Sequence, residues 1–231
     1  MITVIEPHAV IESDLDGDAI MRLLELACRT CYKSEEKICD GSAERLIRGV
    51  IKRGHLSVIE HASISARVVC DRSCSHQLVR HRIAAYSQES QRYCDYGKKG
   101  CQVICPPDIG VPLGTYRVEW FENAGWLAFT DDGMVDLSEV QVGWLSTVNL
   151  CYESYLQLRD RKIKPEDARS VLPNAVKTEV FTTFNLREWR HVFNERALNN
   201  HAQWQIRGIF RDLLDKFAAE LPVIFGDQAE A

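Results

Sequence analysis

Apolar side chains recur at helical spacing near both ends of this chain and at strand spacing between them, and that order limits the folds open to it more than any other feature. Ile20, Leu23, Leu24 and Ala27 fall on one helical face, as do Leu46, Ile47, Val50 and Ile51 before Gly54 stops the second run. Ile64, Ala66 and Val68 alternate with Ser63, Ser65 and Arg67, the period of a half-buried strand. A helix is predicted from Ser73 to about Arg82, capped by Asp71 or Ser73. Residues 95–114 carry the breakers Pro106-Pro107-Asp108 and Gly110-Val111-Pro112 and read as a long loop with one short strand at Gln102 to Cys105. Helical spacing returns at Val140, Trp144, Val148, Cys151, Tyr155 and Leu158, and Pro165 opens a short helix that ends before Pro173. Glu179 to Phe184 has the β-branched and aromatic content of a strand, and helices are predicted at Leu186 to Leu198 and Ala202 to Leu221. Helices, then strands, then helices predict an α+β class and not a regular β-α-β alternation.

No internal repeat, low-complexity segment or linker divides the 231 residues, so one domain is expected over 1–231, with a mobile tail at 222–231. The net charge of −5 argues against bulk nucleic acid as the main partner, because such domains are usually basic overall. Nine cysteines is an odd count, and the N-terminus lacks the basic start and apolar run of a secretory signal. With no long apolar span, a reducing cytoplasm and no membrane partner are expected. Cys28, Cys31 and Cys39, and Cys70, Cys74 and His76, have spacings that invite a zinc reading. They fall within helix and strand patterns, however, where cysteine commonly serves as a small buried apolar residue, so no metal is expected. Neither a GxGxxG nor a Walker loop is present, which excludes both glycine-loop devices for holding a nucleotide.

Positive charge is concentrated in RHRIAAYSQESQRY, Arg80 to Tyr93. A solvated basic face has no need of Ser87, Gln88, Ser90 and Gln91 directly after it. A phosphate site does: it combines guanidinium forks, hydroxyls and free backbone N–H groups. The alternative is a basic and aromatic platform, with Arg80, Arg82, Arg92, Tyr86 and Tyr93 binding single-stranded nucleic acid; the acidic total and the absence of a second basic stretch count against it.

The order Arg80-His81-Arg82, seven residues, then Ser90 and Arg92 resembles the signature of the flavin-dependent thymidylate synthases. Three further segments resemble the same family: Gly54-His55-Leu56-Ser57-Val58-Ile59-Glu60-His61, then Ala168 to Pro173, then Asn185-Leu186-Arg187 with Arg196 and His201 to Trp204. Together they span about residues 20–210 in the family's order. The resemblance implies the thymidylate synthase-complementing protein fold, a mixed or antiparallel sheet flanked by helices, assembled as a homotetramer with active sites shared between subunits. It also implies reductive methylation of dUMP to dTMP, with methylenetetrahydrofolate as one-carbon donor and NADPH as reductant through FAD. By position, His55, Ser57, Arg80, His81, Arg82, Gln88, Asn185, Arg187 and His191 would bind FAD. Gln77, Leu78, Val79, Arg80, Gln88, Glu89, Ser90, Gln91, Arg92, Arg169 and Arg196 would surround dUMP, with Arg196 catalytic at the pyrimidine. Gln88 stands where many members have Glu, and Glu89 puts a carboxylate beside the implied phosphate site.

Overall fold

In the computed structural model, which describes residues 1–231, most of the patterned segments become the elements expected of them. In chain order the elements begin with strands β1 (Ile2–Val4) and β2 (His8–Ile11), helices α1 (Gly17–Thr30) and α2 (Ser42–Lys52), strand β3 (Ser63–Asp71), helix α3 (Arg72–Leu78) and strand β4 (Ala85–Gln88). Helix α4 (Tyr96–Lys99), strands β5 (Cys101–Val103), β6 (Gly114–Phe121), β7 (Gly125–Thr130) and β8 (Gly133–Met134), and the long helix α5 (Glu139–Asp160) follow. The chain continues through α6 (Pro165–Ala168), β9 (Lys177–Asn185), α7 (Leu186–Phe193), a π-helical turn at Asn194–Leu198, α8 (Trp204–Glu220) and α9 (Pro222–Ala229). The class is α+β, and no helix is long and apolar enough to cross a membrane.

Contacts gather the chain into two units interleaved in sequence. The first consists of Met1–Pro7, Val69–His76 and Gln88–Glu179; the second consists of His8–Val68, Gln77–Ser87 and Val180–Ala231. A five-stranded sheet in the order β5-β1-β6-β7-β8 builds the first. It is mixed, because β1 runs parallel to β5 and antiparallel to β6. Ile2, Val103, Tyr116, Leu145, Val148 and Tyr155 meet in its core, so the apolar stripe read along α5 is the face that packs. Ser138 starts α5 with a reciprocal cap: its Oγ accepts from Gln141 N at 3.3 Å while Gln141 Oε1 accepts from Ser138 N at 2.9 Å.

The second unit is mostly helical. Trp189 is fully buried and lies edge to face with Phe184, ring centroids 4.7 Å apart, with Phe193 and Phe217 at 5.3 and 4.8 Å. Burying each such phenylalanine contributes up to about 3 kcal/mol, and the indole N–H is satisfied by Ile64 O at 3.0 Å. A Cβ on Gly17 would collide with the Glu220 carbonyl oxygen, so the start of α1 meets the end of α8 only because that residue is glycine. A four-stranded sheet has the order β2-β3-β9-β4, and β3 and β9 contribute residues to both units.

Four expectations need correction. The helix predicted to carry the basic triplet stops at Leu78 and gives way to a turn at 79–80, where the Tyr86 hydroxyl lies 2.8 Å from Leu78 O and 2.7 Å from His81 O and so takes up carbonyls that a continuing helix would use. The loop predicted at 95–114 contains helix α4 and strand β5, the latter ending at Val103. Strands β6 to β8 follow it in a region left without elements by the sequence reading, where turns at Gly125 and Gly133 support antiparallel pairing. The tail at 222–231 is the fourth: Pro222 opens helix α9, whose Ile224 and Phe225 are fully buried.

Candidate active site

Each part of the site is placed by a local rule. Helix α2 ends on Gly54 at φ 74°, with Gly54 N donating to Ile51 O at 2.9 Å and His55 N to Val50 O at 3.1 Å, the pair of bonds that closes a helix on glycine. His55 and Ser57 leave that turn exposed and line a cavity of about 310 Å³ with Cys28, Cys31 and Arg53. Asn185 caps α7, its Oδ1 accepting from Glu188 N at 2.8 Å. One turn then sets Arg187 and His191 on the same side of α7.

A concavity of about 730 Å³ lies in the second unit and is lined by Arg80, His81, Arg82, Asn185, Arg187 and His191, with Leu56, Glu60, Ile83, Glu188, Arg190 and Asn194. Six of the nine residues expected to bind FAD therefore share one cavity. His55 and Ser57 line a separate one, and Gln88 belongs to the first unit, where its Nε2 donates to Ser75 Oγ at 3.1 Å and Thr178 Oγ1 at 3.2 Å. Glu60 pairs with Arg187 at 2.6 Å. The sequence reading did not single out Glu188, although Asn185-x-x-Glu188 is the spacing of a capping box and carried the signal.

His81 is the electrostatic centre of this cavity. Burial, then the Arg196 guanidinium, then His191 lower its pKa to about 4, so the ring is neutral at pH 7. The hydrogen bonding agrees: Arg196 Nε donates to His81 Nε2 at 3.0 Å, which leaves the ring proton on Nδ1, 3.8 Å from Glu188 Oε1. Burial pushes the Glu188 carboxyl up, against the pull of His191 and Arg187. His81, Glu188 and His191 offer one ligand atom each, all within 4.8 Å of one another, a spacing that a metal ion accepts. The field opposes that use. Arg80, Arg82, Arg187 and Arg190 line the same cavity and Arg196 already occupies the outward nitrogen of His81, so the site suits an anion.

The residues expected around dUMP divide between the units. In the second, Leu78 is fully buried, Val79 is exposed, and Gln77 O accepts from the Arg196 guanidinium at 3.4 Å. In the first, Arg92 Nε donates to Glu166 Oε2 at 3.1 Å and Arg169 Nε to Glu166 O at 3.1 Å, so both guanidinium groups meet at one residue. Ser90 Oγ accepts from Arg92 N at 3.3 Å, and Gln91 is buried. The Glu89 carboxylate is taken by Lys177 Nζ at 3.1 Å, and the same ammonium bonds Glu179, so one ammonium is shared by two carboxylates and offsets part of the charge that stood out in the sequence.

Residues 16–223 match the family described as thymidylate synthase complementing protein. The chain belongs to this family. Among similar proteins, the flavin-dependent thymidylate synthase of Geobacter sulfurreducens is 34% identical over 209 residues, covering 87% of this chain and 79% of that one. The flavin-dependent thymidylate synthase of a Mycobacterium species is 36% identical over 226 residues, covering 96% and 85%. Two solved structures of PolB, a UMP/dUMP methylase from Streptomyces cacaoi, bound with 5-Br UMP and 5-Br dUMP, share the fold. Their TM-scores are 0.71 and 0.73, at 22% and 19% identity, over 97% of this chain and 94% and 95% of theirs. As a member of the thymidylate synthase complementing protein family, this chain is a methyltransferase.

Proposed function

We propose that this protein is a flavin-dependent thymidylate synthase of the cytoplasm, in which the whole chain acts as one catalytic domain. It converts dUMP, methylenetetrahydrofolate and NADPH with a proton into dTMP, tetrahydrofolate and NADP⁺. The observation that carries this reading is the cavity of about 730 Å³ walled by Arg80, Arg82 and Arg187 with His81, His191 and Asn185. That donor set fits FAD: guanidinium forks match the pyrophosphate oxygens, and the Asn185 amide and His191 ring add further polar contacts. When bound, the flavin would carry reducing equivalents from NADPH to the one-carbon unit.

The chain's own residues do the rest by binding and by charge. Arg92, Arg169 and Ser90 supply donors suited to the dUMP phosphate, and their shared approach to Glu166 holds the two guanidinium groups near each other before substrate arrives. Arg196 supplies a fixed positive charge for the pyrimidine as its 5-carbon becomes nucleophilic, a preorganised effect of about 3–4 kcal/mol in a transition state. No cysteine nucleophile is required. Arg187 and Arg196 serve different sites of a homotetramer in this reading, one the flavin and the other the nucleotide.

The deciding experiment is direct. Purified protein is expected to show the absorption of oxidised flavin, to be bleached by NADPH, and to form dTMP from dUMP only when methylenetetrahydrofolate is present. A protein that stays colourless and inactive after incubation with FAD would overturn the proposal. Because the PolB structures hold a ribonucleotide and a deoxyribonucleotide analogue, UMP is assayed beside dUMP. Equal or faster methylation of UMP would replace thymidylate synthase by a UMP/dUMP methylase.

A further inference from the structure

Arg196 sits on a π-helical turn, Asn194–Leu198, directly continuous with α7. A π turn adds a residue to the helical circuit and shifts the direction of every side chain after it, and it leaves carbonyls at the junction poorly served by N–H groups. At this junction Arg190 O and His191 O share a single N–H, that of Asn194. A further donor comes from α9. Gln228 Nε2 donates to Arg190 O at 2.8 Å and to Asn194 Oδ1 at 2.6 Å, bracing the last carbonyl of the α-helical geometry and the first residue of the π turn. Gln228 is only 4% exposed, and its own Oε1 has no partner. A buried amide that leaves its oxygen unsatisfied spends its hydrogen-bonding capacity on those two donations.

The rest of α9 supports the same contact. Asp227 Oδ1 and Oδ2 each accept from the Arg190 guanidinium at 2.7 Å, which also reaches Ile224 O, while Ile224 and Phe225 anchor the helix in the aromatic core. The match to the family ends at residue 223, so Asp227 and Gln228 lie outside the part of the chain that the family pattern describes.

We propose that Gln228 is a positioning residue for Arg196, holding the π turn in the geometry that sets Arg196 Nε against His81 Nε2. The claim that this serves catalysis rests on the role given to Arg196 above; the brace itself does not. His81 reports the position of Arg196 without any assay, since it shares its cavity with Arg80, Arg82, Arg187, Arg190, His191 and Glu188 and withdrawal of Arg196 removes the only bond to its Nε2.

The test uses the flavin-loaded protein and the variants Gln228→Met, which keeps length and packing but cannot donate, and Arg196→Ala. Histidine NMR titration is expected to show the His81 pKa rising in Gln228→Met by about one unit, in the direction set by Arg196→Ala. Turnover is expected to fall about tenfold with the KM for dUMP and the flavin content unchanged, as for a displaced catalytic group. If Gln228→Met does not fold, Gln228→Leu is measured instead, since it too fills the buried site with an apolar side chain that cannot donate to Arg190 O. An unmoved His81 overturns the brace, whatever happens to turnover. A shifted His81 with turnover intact in Gln228→Met alone overturns its catalytic purpose. Turnover intact in both variants leaves the brace standing and removes Arg196 from the proposed mechanism.

Discussion

His81 shows how much a single side chain's behaviour depends on what is folded around it. In the sequence it is the middle of a basic triplet; in the fold it is 6% exposed and accepts a hydrogen bond from Arg196. Its pKa of about 4 has a consequence for stability. An unfolded histidine takes up its proton near pH 6.5 and the folded His81 does not until about 4, so between those values the unfolded chain binds more protons and stability falls as pH falls. Below about pH 4 this loss is complete; above 6.5 it is absent. The full difference is worth about 3 kcal/mol as an upper bound. Glu188, whose pKa is raised by burial, works in the opposite sense and gains stability on protonation. Urea midpoints measured at pH 7 and pH 5 are expected to differ more in the natural protein than in His81→Gln, which keeps a neutral acceptor. Equal pH dependence in the two would show that His81 is not the group responsible. Among the other residues, Arg80 and Arg82 read as anion-binding candidates from their chemistry and Arg187 and His191 only through the family resemblance, whereas the contacts of Glu188 with His81 and of Gln228 with Arg190 and Asn194 join segments far apart in sequence.

At the scale of elements, the reading of periodicity succeeded where one face packs. Helices α1, α2, α5 and α8 and strands β3 and β9 all lie where the apolar pattern places them, because each buries a continuous stripe or an alternating face. It failed for β1, β2, β4 and β8, which are two to four residues long and too short to show a period, and for β6 and β7, of eight and six residues, whose burial alternates only in part. The caps are local and testable. Ser138→Ala removes the hydroxyl that accepts from Gln141 N and leaves the backbone N–H that Gln141 Oε1 serves, so half of the α5 cap is lost at a cost of about 1 kcal/mol. In a chain of this size that lowers the melting temperature by about 2–4 °C. Calorimetry is the check, and a variant that melts with the natural protein would mean that water serves the Gln141 N–H equally well.

For the whole molecule, the question is how one short helical segment can serve two ligands. Arg187 lines the cavity with His191, whereas Arg196 is absent from its wall and reaches His81 and Gln77 O. If Arg187 and Arg196 serve different active sites of a homotetramer, mixed assemblies behave in a distinctive way. Arg187→Ala and Arg196→Ala are each expected to be inactive alone, and unfolding and reassembling them together is expected to restore part of the activity, since some mixed sites receive both arginines. Absence of recovery, with subunit exchange confirmed by mass, would mean that each chain supplies both residues to the same site.

Local order alone determined much of this protein: the α+β class, the places of its long helices, the basic stretch at 80–93 and the family to which its motifs belong. These follow from interactions within a few residues, caps, breakers and periodic faces, and from motifs that stay contiguous. Which of the basic residues share a cavity, why His81 stays neutral, how Lys177 comes to pair with Glu89 and which residue of α9 reaches Arg190 O and Asn194 were decided by the tertiary fold. Each depends on burial or on a partner from a distant segment. Charges and hydrogen-bond donors act through space, and the distances that govern them do not exist until the chain has folded.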